Sequence, residues 1–129
     1  MDFTPNPELM ETIIVQDTDK DVLDILTIAL KMEGFEVYAI DDCDENFLDL
    51  IDQLKPQVVM LDYLLDGKSC ISMIKKIRER YPDLPVVAMS CNSDIHSDYS
   101  KYGFTDYLCK PFDLELLYKI LRKHVPKVK

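Results

Sequence analysis

Asp17, Asp62, Ser90 and Lys110 each stand at the end of a short, mostly apolar run rich in β-branched residues. Two carboxylates, a hydroxyl and an amine, once brought together, describe a site for phosphoryl transfer. The carboxylates repel each other unless a cation lies between them, and Mg²⁺ takes one or two carboxylates together with waters. The metal and the lysine neutralise charge on the phosphoryl oxygens, and the hydroxyl donates a hydrogen bond to one of them. One carboxylate can then attack phosphorus and form an aspartyl phosphate. Taken singly, each acid has a plainer reading: Asp62 as a carboxylate that ends a strand, Asp17 as the N-cap of a helix. Their convergence decides between the two.

The elements that position them follow from the apolar pattern. The central run is Val58 to Leu61, preceded by Pro56, closed by Asp62 and followed by a loop that Gly67 lets turn. A run this short, apolar on both faces, suits a strand buried on both sides of a parallel sheet. Thr12 to Gln16 is a first strand and Phe35 to Ile40 a second, alternating strand near a sheet edge. Val86 to Met89 and Phe104 to Cys109 supply two more. Between them the period changes to that of a helix. Val22, Ile25, Leu26, Ala29 and Leu30 form one stripe, stopped by Gly34. Phe47, Leu50, Ile51 and Leu54 form a second, after the acidic turn from Asp41 to Glu45 that offers N-caps. Ile71, Ile74 and Ile77 form a third, with Lys75, Lys76, Arg78 and Arg80 read as its solvated face. Asp94 to Tyr102 is a short fourth helix closed by Gly103. Asp113 caps a fifth, with Leu114, Leu117, Tyr118 and Leu121 inward. Five strands alternating with five helices imply right-handed βαβ units and an α/β three-layer sandwich around a parallel sheet. Parallel strands bring all four reactive residues to one sheet edge, where open α/β sheets bind ligands.

Bulk properties exclude several classes. A length of 129 residues supports one domain with a substantial core. It is read as residues 12–125, with a polar lead-in at 1–11, a tail at 126–129 and no output domain. No apolar run approaches the roughly 20 residues of a membrane span, and the N-terminus has no leader pattern. Residues 1–66 hold 3 basic and 17 acidic side chains, and residues 67–129 hold 12 and 7. An acidic first half argues against nucleic-acid binding and is compatible with a divalent cation. Cys43, Cys70, Cys91 and Cys109 lack metal or CxxC spacing and read as reduced thiols of a cytoplasmic protein. His96 and His124 lack partner spacing and are read as surface residues.

Together the acid after the first strand, Met60-Leu-Asp62, Val87-Ala-Met-Ser90 and Asp106-Tyr-Leu-Cys-Lys-Pro-Phe112 resemble the response-regulator receiver domain of two-component signalling, from about Thr12 to Lys123. The resemblance implies a flavodoxin-like fold with strand order 2-1-3-4-5. It makes Asp62 the phosphoacceptor, with Asp17 and the Leu64 backbone carbonyl beside it as Mg²⁺ ligands. It also puts Ser90 at the hydroxyl position, Lys110 at the lysine joined to a cis proline, and Tyr107 at the aromatic switch. The phosphoryl donor implied is a sensor histidine kinase or a histidine phosphotransfer protein. The output implied is contact with a downstream protein through the fourth helix, fifth strand and fifth helix, without nucleic acid or membrane.

The chain departs from that pattern in places. Receivers carry two adjacent acids after the first strand, whereas here Gln16 and Thr18 flank a single Asp17; Thr18 is read as a helix cap, with Asp19 able to substitute through a shifted loop. Cys70 stands where glycine is usual, and the span from Ser90 to Lys110 is about two residues short, which implies a shortened fourth helix. Two alternatives follow. One is a degenerate receiver that binds partners without phosphorylation. The other is a haloacid-dehalogenase-type phosphatase built on Asp17-Thr-Asp19.

Overall fold

The computed structural model describes residues 11–63, 68–91 and 94–126. Its strands are β1 (Thr12–Gln16), β2 (Glu36–Ile40), β3 (Val58–Asp62), β4 (Val86–Ser90) and β5 (Asp106–Cys109). The helices between them are α1 (Lys20–Met32), α2 (Phe47–Leu54), α3 (Lys68–Arg80), α4 (Ile95–Asp98) and α5 (Leu114–His124). All strand pairs are parallel, in the order β2-β1-β3-β4-β5. The alternating helix and strand periods thus give the expected three-layer α/β sandwich.

Side-chain alternation divides the core. Ile13, Val15, Met60, Val87, Met89 and Leu108 face α1 and α5. Ile14, Val59, Leu61, Val86 and Ala88 face the opposite way, toward Phe47 and Ile51 of α2, Ile74 and Ile77 of α3 and Ile95 of α4. Every residue of β3 and β4 is buried, which accounts for their unbroken apolar sequences, while β2 is the half-exposed edge strand.

Several local expectations are corrected. The buried stripe of α1 is Leu23, Leu26, Ala29 and Leu30, whereas Ile25 is 63 % exposed. The helix is apolar on two rows, so periodicity alone left its rotation open. The sheet takes one row and leaves Ile25, Ile28 and Met32 pointing outward. Leu114, expected inward on α5, is largely exposed. Helix α4 is only four residues long, because its expected C-terminal half unwinds into turns that end at Gly103. The last strand begins at Asp106 rather than Phe104, although Phe104 is buried beside it. Asp113 caps α5 as expected, its carboxylate accepting from the Leu116 N–H.

Arg78 is not on a solvated face. Its Nε donates to the Gly103 carbonyl at 2.6 Å, and Nη1 to the carbonyls of Leu84 at 2.6 Å and Tyr81 at 3.2 Å. Nη2 donates to Thr105 Oγ1 at 2.9 Å. One guanidinium thereby ties the end of α3 to the entries of β4 and β5. Gly103 completes the fit, with φ of +100° and a missing Cβ that would lie 3.3 Å from Arg78 Cγ. His124 is likewise no free surface residue. Its Nε2 lies 2.9 Å from Asp106 Oδ2, which also accepts from Lys123 at 3.3 Å.

Two outcomes follow. Arg78→Met leaves three carbonyls without their donor, and urea unfolding is expected to show a loss of about 2–3 kcal/mol; a change below about 0.5 kcal/mol would mean that water replaces the guanidinium fully. Burial tends to raise the pKa of Asp106, but hydrogen bonds from His124, the Tyr107 N–H and Lys123 outweigh it and hold the carboxyl below the ordinary value. A depressed folded pKa contributes stability above the unfolded value of about 3.9, lost as pH falls through the folded value. Asp106→Asn should therefore unfold more easily than the native chain at pH 7 by about 1 kcal/mol, with the gap closing below about pH 4. A gap independent of pH would assign the effect to packing instead of charge.

Candidate functional site

Strand register sets the site. Gln16 pairs with Leu61, Asp62 with Met89 and Ser90 with Cys109, so the C-terminal ends of β1, β3, β4 and β5 lie along one edge. The Tyr63 N–H donates to the Met89 carbonyl at 2.6 Å and the Lys110 N–H to the Ser90 carbonyl at 2.7 Å, which carries the pairing one residue beyond each strand. The peptide bond from Lys110 to Pro111 is cis.

Three of the expected side chains meet directly. Lys110 Nζ donates to Asp17 Oδ2 at 2.6 Å and to Asp62 Oδ1 at 3.1 Å. Asp17 is fully buried, Asp62 is 7 % exposed, and the Lys110 side chain is 13 % exposed. Burial alone would lower the lysine pKa. Its hydrogen bonds to Asp17 and Asp62 and their attraction reverse the sign and hold it above the ordinary lysine value. Ser90 is buried at the end of β4, on the same edge. Tyr107 is half-buried on the face covered by α3 and α4, its ring 4.9 Å from that of Tyr99. Leu64, expected as a backbone ligand, and Gly67 lie outside the described residues, and the side chain of Cys70 in α3 lies outside the described side chains.

Two neighbours take roles that sequence reasoning missed. Thr18 is not the helix cap. Asp19 is, its Oδ1 accepting from the N–H groups of Asp21 at 2.9 Å and Val22 at 3.3 Å. One oxygen of the Asp19 carboxylate is thereby engaged at the start of α1. The Thr18 hydroxyl instead donates to Asp62 Oδ2 at 3.1 Å. Buried Gln16 accepts from the Asp62 N–H at 3.1 Å through Oε1 and donates to the Asp41 carbonyl at 3.0 Å through Nε2. A polar residue closing an apolar strand beside an acid was the available signal. Asp17 Oδ1 accepts from the Asp19 N–H at 2.8 Å.

The donor set for a metal is hard but sparse. Among the described residues no three His, Cys, Asp or Glu side chains gather as ligands. Asp17 and Asp62 are the carboxylates present, and one or two carboxylates with waters are what Mg²⁺ accepts. Their chemistry fits that ion.

Beside the site, a groove of about 430 Å³ runs between α1 and the start of α5. Val22, Ile25, Ala29, Phe112 and Leu114 line it, and Lys110 closes the end nearest the carboxylates. Burial, then Asp42 and Asp44, push the Cys43 thiol up to about 12.

The chain belongs to the response regulator receiver domain family, whose model matches residues 13–122. It is similar in structure to a two-component response regulator from Clostridium difficile, with 27 % identity, 92 % of this chain and 98 % of that one covered, and a TM-score of 0.79. The response regulator TrrA from Thermotoga maritima, solved in complex with Mg²⁺ and BeF, matches with 24 % identity, 89 % and 99 % coverage and a TM-score of 0.77. The chemotaxis response regulator CheY4 of Vibrio cholerae shares 20 % identity over 89 % of this chain and 98 % of that one, with a TM-score of 0.77. The last two likenesses speak for the fold alone. No helix among the described residues is long and apolar enough to cross a membrane.

A raised lysine pKa means that the stabilisation by Lys110 is complete below the unfolded value of about 10.4 and is lost as pH rises through the folded value. At pH 7 it is present in full. Lys110→Met is expected to cost about 3 kcal/mol in urea unfolding, because two buried carboxylates lose their counter-charge. Adding Asp62→Asn should recover a large part. An equal loss in both backgrounds would show that the lysine stabilises by its stem.

Proposed function

We propose that Asp62 is the phosphoacceptor of this receiver domain. The donor is a phosphohistidine on a sensor histidine kinase or a histidine phosphotransfer protein. The Asp62 carboxylate attacks phosphorus, an O–P bond forms, the N–P bond breaks, and the imidazole leaves and takes up a proton. The observation that carries this reading is the ammonium of Lys110 within hydrogen-bond distance of both Asp62 and Asp17. It orients the nucleophile before reaction and can follow the phosphoryl oxygens afterwards, where negative charge develops. Buried Ser90 is the hydroxyl assigned to the same oxygens.

Asp17 and Asp62 would hold Mg²⁺, which supplies charge neutralisation at the phosphoryl group when bound. The apolar groove along α1 supports a helical donor. Its exposed Ile25 and Leu114 offer contact surface, and Lys110, which lines the same groove, donates to Asp62. For output we assign Tyr107, already packed on Tyr99, as the side chain whose turning changes the α4–β5–α5 surface presented to a downstream protein.

The sparse metal set favours one second reading, a receiver that no longer takes phosphate. Intact-mass spectrometry after incubation with Mg²⁺ and acetyl phosphate separates the two. One added phosphoryl group on the native chain, absent from Asp62→Asn, is the expected result. No adduct at saturating Mg²⁺ would leave the degenerate module. Continuous release of inorganic phosphate from a generic phosphomonoester would instead revive the phosphatase, although Asp19, its required general acid, is committed to capping α1.

A further inference from the structure

The Asp62 carboxylate is held at each of its polar atoms. Lys110 donates to Oδ1, the Thr18 hydroxyl donates to Oδ2 at 3.1 Å, and Gln16 anchors the residue's own N–H. The oxygen that Lys110 leaves open is therefore the one that Thr18 addresses. Thr18 sits on the turn between β1 and α1, directly after the buried acid Asp17 and directly before the helix-capping Asp19. It is neutral, so Asp17, Asp62 and Lys110 leave the cluster with a formal charge of −1. An acid in its place would make that −2. A hydroxyl hydrogen bonded to a carboxylate oxygen takes one of its lone-pair directions and draws off part of the charge that a cation at the same oxygen would use.

Resting on the reading of Asp62 as phosphoacceptor, we propose that Thr18 is a positioning residue that holds Asp62 Oδ2 where a metal ligand would otherwise act, and that it competes with the divalent cation for that oxygen. A cation at Oδ2 would have to share that oxygen with the hydroxyl or wait for it to turn away. A cation-free site stays ordered, with both carboxylate oxygens satisfied, and cation affinity becomes a property tuned by one side chain outside the ligand set.

The test is a Mg²⁺ titration of the ¹⁵N-labelled full chain at fixed ionic strength, without phosphodonor. It follows the Tyr63 and Lys110 amide shifts in the native protein, Thr18→Ala, Thr18→Ser and Thr18→Asp. Removing the hydroxyl should tighten Mg²⁺ binding roughly fivefold, the worth of one hydrogen bond. Serine should restore the native value, and aspartate, which adds charge and a ligand, should tighten binding at least about tenfold. Thr18→Ala binding equal to or weaker than native would overturn the proposal, the weaker case marking Thr18 as a ligand itself. The phosphoacceptor reading is judged separately, by acetyl phosphate labelling of Thr18→Asp at Asp62. If that variant is labelled, the alanine result bears on Thr18 alone; if no variant binds Mg²⁺ and none is labelled, both readings fall. The same amide spectra show whether each variant is folded.

Discussion

Two carboxylates buried at the ends of neighbouring strands would repel each other and resist desolvation as charges, so this site depends on a positive charge delivered between them. Lys110 delivers it, and the delivery constrains the topology. Asp17 follows β1 and Asp62 closes β3, which are adjacent, whereas Lys110 follows β5, two strands beyond β3. At a strand spacing of about 4.8 Å that is roughly 10 Å of sheet to cross. A short polar side chain at position 110 could not reach; a lysine stem, on a residue pinned by its N–H to the Ser90 carbonyl, does. The end of β4 lies between β3 and β5, and Ser90 is buried there.

The legible part of the site has the same origin. Strict alternation of short apolar runs with helical periods forces parallel strands, and parallel strands force Asp17, Asp62, Ser90 and Lys110 to one edge. No side-chain detail is needed for that step. Thr18 and Gln16 were opaque because their partners are distant in sequence: Asp62 lies 44 residues from the one and 46 from the other, and a hydroxyl beside an acid is as good a helix cap as a cross-strand donor. The rotation of α1 was opaque for another reason. With apolar residues on two rows, either could pack, and only packing into the core cluster with Ile13, Val15 and Met60 chose Leu23, Leu26 and Leu30. Arg78 misled through its neighbours Lys75, Lys76 and Arg80, since charge periodicity reports where a helix can be wet but not which guanidinium finds carbonyls.

The unpacked row on α1 and the aromatic cluster on the opposite face give the site two distinct sides. Ile25, Ile28 and Met32 lie on the side of α1 and α5, where Lys110 closes the apolar groove. On the other side Tyr63, the residue after Asp62, has its ring 5.9 Å from Tyr102 and 6.1 Å from Phe104. Both belong to the turn and strand entry that follow α4. Because successive side chains of a strand point to opposite faces, the end of β3 necessarily couples a residue facing one layer to a residue facing the other.

That coupling gives physical content to signalling in the proposed function. In that reading a phosphoryl group on Asp62 would turn one carboxylate oxygen into a weakly accepting ester oxygen, and so weaken the hydrogen bond that Thr18 or Lys110 makes to it. Either change would loosen a restraint on the end of β3, and Tyr63 would pass it to the rings of Tyr102 and Phe104. Tyr107 lies in the same layer, against Tyr99 of the turn after α4. A four-residue α4 flanked by turns offers less resistance to such repacking than a full helix, since few of its backbone groups are locked in i to i−4 bonds. The shortened helix therefore need not mark a lost output; it lowers the local cost of moving the surface that a partner would read.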